Sequence, residues 1–119
     1  MHMTHKSVEL SELTVRQLRG RRRRLAASLT GIEALLLGSL ISQGRRCGKE
    51  NCRCANGQLH GPYLYLSVTR PGRRPRQVYV PAELTDAVRS AVAAGSRAES
   101  VLSEIAAINT ELLTRRAVD

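Results

Sequence analysis

The chain has no Trp, no Phe and only three Tyr among its 119 residues. A core without large aromatics must be built from Leu, Ile, Val and Ala, which each remove less area from water. Acids are also few: ten Asp and Glu stand against nineteen Lys and Arg, and the formal net charge is +9. No run of about 18 apolar residues is present, so no helical membrane span is expected. The opening MHMTHKSVEL lacks the apolar core of a secretory signal, and the cytoplasm is the expected location. Three clustered cysteines, an odd number, argue against a secreted disulfide scaffold. Missing too are a Gly-x-Ser-x-Gly elbow, a phosphate-cradling Gly-rich loop followed by Lys, and a His–Glu pair at metalloenzyme spacing. The expectation is a protein that is not an enzyme and has no small-molecule substrate.

What cysteine there is sits in one place. Cys47, Cys52 and Cys54 fall with His60 in the string CGKENCRCANGQLHGPY. Three thiolates and an imidazole suit a tetrahedral Zn²⁺, and the short spacings allow one ion to be wrapped. Cys52 and Cys54 flank Arg53 and point the same way if that segment is extended. A redox pair, or reduced cysteines without a ligand, are the alternatives. His60 precedes the turn signal Gly61-Pro62, so its ring serves either as a ligand or as a local hydrogen-bonding group. With His60 bound the site is closed, and no general base is at hand. The zinc is expected to be structural, offsetting the marginal stability of a small domain.

The positive charge is unevenly placed. Residues 16–76 carry fourteen Lys and Arg against Glu33 and Glu50, whereas residues 77–119 carry four Arg against six acids. Arginine dominates, and its planar fork pairs with phosphate and stacks on bases. Such a field also attracts anionic lipid or an acidic protein, and a merely solvated basic face is the plain alternative. The residues expected to contact nucleic acid are Arg21, Arg23, Arg24, Arg45, Arg46, Lys49 and Arg53. A hairpin tip carrying Arg70, Arg73, Arg74 and Arg76 is expected to reach a groove. An exposed loop kept soluble by charge is the competing reading of that tip.

Patterning places these residues on elements. Thr14 and Gln17 form a capping box, Leu13 and Leu18 stand at the positions of a hydrophobic staple, and apolar residues then recur at helical spacing. The helix is expected over 14–36, after a flexible stretch 1–13, with Gly20 and Gly31 as weak points. Arg22 lands on its apolar seam, where it must snorkel, pair with an acid or mark a boundary. A zinc and strand region is expected over 37–81. Leu35 to Ser42 approaches a strand, Pro62 to Thr69 alternates cleanly, Pro71-Gly72 makes a type II turn, and Gln77 to Val80 returns. Tyr63, Tyr65 and Tyr79 either pack on this sheet or stack on bases. Residues 82–116 are expected to be helical, opened by Pro81, with a seven-residue repeat running from Leu84 to Leu112. Gly95 followed by Ser96 to Glu99 reads locally as a stop and restart, but the repeat keeps its phase across it and favours one helix.

The succession GSL (38–40), CGKENCRC (47–54), HGPYLYL (60–66) and VYVP (78–81) resembles an uncharacterised bacterial family of short basic proteins. Many of its members travel with mobile elements. The resemblance covers about residues 30–113. It implies that Cys47, Cys52, Cys54 and His60 act as a set and that the last helix is continuous, and it brings no established activity. The expected architecture is α+β and a single domain. Long N- and C-terminal helices pack as a hairpin, with a small antiparallel sheet and the zinc loop between them. The expected function is zinc-stabilised binding of nucleic acid, double-stranded DNA first, in a regulatory or accessory role and as a homodimer. The alternative is a protein–protein interaction module that dimerises through its helices.

Overall fold

The computed structural model describes residues 9–45, 57 and 59–118. The order is a 3₁₀ turn Leu10–Glu12, helix α1 Val15–Ala27, strands β1 Ser39–Arg45, β2 His60–Val68 and β3 Arg76–Tyr79, a 3₁₀ turn Ala82–Leu84, and helix α2 Thr85–Thr114. The class is α+β, with two helices and one three-stranded antiparallel sheet. The chain's contacts gather into two compact units, Met1–Gly31 with Arg97–Asp119, and Ile32–Ser96.

In the first unit α1 begins as its sequence dictates. Gln17 N donates to Thr14 Oγ1 at 3.1 Å, and Thr14 N donates back to Gln17 Oε1 at 2.9 Å. The reciprocal cap satisfies donors that the first turn leaves open. Leu18 is fully buried with Ile108 and Leu112 of α2, and Leu10, Leu13, Val15, Leu25 and Ala117 pack around them. Burying a leucine this completely contributes about 2 kcal/mol.

Two expectations change here. The helix ends at Ala27 rather than near residue 36. Ser28 Oγ donates to Leu25 O at 2.6 Å, and Gly31 takes a positive φ of 64°. A side chain that competes for the last carbonyls, followed by a left-handed glycine, closes a helix. Residues 9–13, expected to be flexible, are instead tied down. Arg115 donates to the carbonyls of Leu10, Ser11 and Leu13 and, through Nε, to Glu111 Oε2 at 2.8 Å.

The end of α2 is a Schellman motif. Ala117 N bonds Leu112 O, Arg116 N bonds Leu113 O, and Arg116 supplies the left-handed residue at φ 55°. Ala117 thereby returns to the Leu112 cluster, the apolar contact that such a motif carries.

In the second unit β2 is the central strand, paired with β1 on one side and β3 on the other. Ile41 and Tyr79 both stand opposite Tyr65, while Leu40 and Val78 both stand opposite Leu66. Strand alternation therefore sorts Tyr63, Tyr65 and Tyr79 to one face and Leu64, Leu66 and Val80 to the other. Among the described residues of the sheet and its ends, Tyr65, Leu66 and Val80 are the buried hydrophobic side chains. A bulge in β2, where Gly61 and Pro62 together oppose Gly44, shifts the register before Arg45 meets His60.

Helix α2 is unbroken through Gly95. The glycine has a packing reason: a Cβ there would lie 2.0 Å from Leu36 O, and Leu36 N already donates to Ala91 O at 3.0 Å. The chain before β1 runs against the helix backbone, which only glycine permits. The buried seam of α2 is shorter than the repeat suggested. Leu84 is 48% exposed and belongs to the preceding 3₁₀ turn.

Candidate nucleic-acid interface and the Cys/His segment

Helix α1 carries six arginines and no acid in thirteen residues. Successive positions turn by about 100°, so these cations divide between a packed side and an open one. On the packed side, Arg19 Nη2 donates to Ala117 O at 3.0 Å and Arg22 Nη1 donates to Asn109 Oδ1 at 2.8 Å. Arg21 lies 3.7 Å from Glu104 Oε2, with both side chains well exposed. Arg22 thus meets the Asn109 amide, and Arg21, expected to contact nucleic acid, already has a partner within the chain. On the open side, Arg16, Arg23 and Arg24 are exposed, with no side-chain hydrogen bond or ion pair among the described residues.

The β2–β3 connection divides in the same way. Arg73 N donates to Arg70 O at 3.2 Å, and Gly72 has φ 68°, as the central glycine of a type II turn requires. Arg70 is half-buried and folds back, with Nε and Nη2 donating to Arg74 O at 3.2 and 3.0 Å. It organises the tip. Arg73, Arg74 and Arg76 are exposed and make no side-chain hydrogen bond or ion pair among the described residues.

The three tyrosines form a cluster. Tyr79 meets Tyr63 and Tyr65 edge-on, at centroid distances of 6.3 and 5.8 Å. Tyr65 is buried by this arrangement while Tyr79 stays 51% exposed. The packing reading holds for Tyr65, and the ring of Tyr79 remains accessible.

Cys47, Cys52, Cys54, Arg46, Lys49 and Arg53 lie outside the described residues. His60 is half-buried at the start of β2, and its ladder partner is Arg45 at the end of β1. The sequence holding the cysteines therefore joins two positions that are paired across an antiparallel ladder. Among the described residues, no three His, Cys, Asp or Glu side chains are grouped closely enough to hold an ion. Among them, too, no helix is long and apolar enough to cross a membrane.

Sequence reasoning did not single out Arg115, because an arginine after the last helical repeat looks like a solvated end. It also passed over Arg16, although that residue precedes Arg23 by two helical turns and so shares its face.

A family model described as a domain of unknown function, DUF6788, matches residues 15–90, from the first residue of α1 into the start of α2. No curated protein and no solved structure matches the chain.

Proposed function

We propose that this chain, which belongs to the DUF6788 family over residues 15–90, binds nucleic acid without catalysing a reaction on it. Double-stranded DNA is the first target, and the role is accessory or regulatory, of the kind a mobile element needs. The observation that carries the reading is the β2–β3 tip. Arg73, Arg74 and Arg76 are exposed and unneutralised among the described residues, on a turn whose shape Arg70 and Pro71-Gly72 already hold. Cations on a preformed turn lose little freedom when a phosphate arrives, and their contacts give affinity rather than sequence choice. Zinc enters as a brace for the Cys47, Cys52, Cys54 and His60 segment, whose two ends the ladder brings together. Thiolate coordination would stabilise that segment and take no part in chemistry.

The test is fluorescence anisotropy of a labelled DNA duplex across a salt series. Wild-type protein is expected to bind with a steep salt dependence. Reversing Arg73, Arg74 and Arg76 to Glu should abolish binding while the melting temperature stays put, since none of the three holds the fold. Salt-independent binding, or a reversal variant that binds normally, would sink the reading. For the brace, metal analysis should find about one zinc per chain, and Cys52→Ser should melt well below the parent.

One observation favours the second reading, a helical dimerisation module. Leu102 and Leu113 are 57% and 62% exposed and stand three turns apart on one side of α2. Light scattering of wild type and Leu102→Lys separates the readings: a dimer that dissociates in the variant supports the helical seam.

A further inference from the structure

One flank of α1 borders an open concavity of about 540 Å³ lined by Val15, Arg16, Arg19, Gly20 and Arg23. These positions follow the one-face spacing of a helix, with the glycine midway between Arg16 and Arg23. Gly20 is the unexpected member. Glycine weakens a helix interior, so its presence asks for a reason. Gly95 has one in the carbonyl of Leu36, 2.0 Å from where its Cβ would be, whereas a Cβ at Gly20 would meet nothing closer than Arg24 Nη1 at 3.5 Å. Nothing described in the fold requires Gly20 to be glycine. A bare backbone at this position leaves room for something outside the chain to come close.

The surroundings say what that something is. Arg16 and Arg23 are exposed, carry no ion pair among the described residues, and stand about 10 Å apart along the helix at the standard rise. Arg19 forms the wall between them, held in place by its bond to Ala117 O. No acid occurs in α1. We infer that the Arg16–Gly20–Arg23 groove seats the phosphodiester backbone of a nucleic-acid strand. Gly20 is the point of close approach, and the two outer guanidinium groups take phosphates on either side. This rests on the reading of the chain as a nucleic-acid binder and adds a second set of contacts, on α1, to those of the hairpin tip.

The decisive variant is Gly20→Ala, because its two effects have opposite signs. Alanine is the better helix former, so the melting temperature should rise. Duplex affinity, read by anisotropy, should fall about fivefold, as loss of one phosphate contact would produce. The double variant Arg16→Ala, Arg23→Ala should lose about fiftyfold in affinity near 0.1 M salt and about two units of salt slope. Arg89→Glu, a charge change on α2 outside the groove's lining, serves as the control for net charge and should stay within about twofold of wild type. If wild type binds duplex but Gly20→Ala and the double variant bind as tightly as it does, the groove is wrong and the hairpin tip stands alone. If wild type binds no duplex, the functional reading falls and the groove with it. Binding to phosphatidylglycerol vesicles instead, lost in the same variants, would overturn the inference in favour of a membrane surface.

Discussion

Helix α1 and the β2–β3 hairpin are both rich in arginine, and each engages some of its cations while leaving others open. They differ in what the engaged ones reach. Arg19 and Arg22 bond to Ala117 and Asn109, 98 and 87 residues away in sequence. Arg70 bonds to Arg74 O, only four residues away. Arginine on the packed side of α1 is therefore part of the tertiary structure, whereas at the hairpin it shapes only its own turn. Net charge alone hides this division. The comparison also identifies the charge changes that test binding without testing folding: those at Arg16, Arg23, Arg73, Arg74 and Arg76.

The largest effect is expected at Leu18. Replacing it with Ala removes the centre of the cluster that holds α1 against Ile108 and Leu112. The expected cost is about 3 kcal/mol in urea unfolding, because a fully buried site loses both transfer energy and packing. A change below about 1 kcal/mol, the range of ordinary surface substitutions, would mean that α1 is held some other way.

The two helix-interior glycines sharpen the contrast next. Gly95→Ala gains helix propensity but drives a methyl group into the Leu36 carbonyl, 2.0 Å from the Cβ position. Overpacking against backbone should leave it about 2 kcal/mol less stable. Gly20→Ala should move the other way by about 1 kcal/mol. Equal signs in thermal melts of the two variants would erase the distinction drawn between them.

The smallest effect is expected at Arg21 and Glu104. They approach to 3.7 Å, with side chains 39% and 50% exposed. Solvent screens such a pair, and a double-mutant cycle should return a coupling below about 0.5 kcal/mol. A larger value would place Arg21 among the residues that hold α1.

Much of the fold could be read directly from the chain. The capping box at Thr14, the alternation of β2 and the turn at Pro71-Gly72 depend on neighbours a few residues apart, and such local chemistry is written in order. The end of α1 was harder. Leu29, Ile32 and Leu36 continue the helical spacing, yet Ser28 and Gly31 close the helix before them. Periodicity cannot distinguish apolar residues on a helix from apolar residues on the segment that follows it. Of the candidate site, the exposed tip was legible because charge between two turn residues has nowhere to go but solvent. The separation of Arg21 from Arg23 was not, because it depends on Glu104, 83 positions further along.

By itself the sequence determined the succession of helix, sheet and helix, the excess of arginine in its first two-thirds, and the clustering of Cys47, Cys52 and Cys54 ahead of His60. Those properties follow from composition and from spacings no longer than a few turns. Tertiary structure decided which arginines of α1 are engaged, why Gly95 is glycine, and that Arg115 ties down residues 10–13. Each of these depends on a contact between residues far apart in the chain, and only folding sets the distance between them.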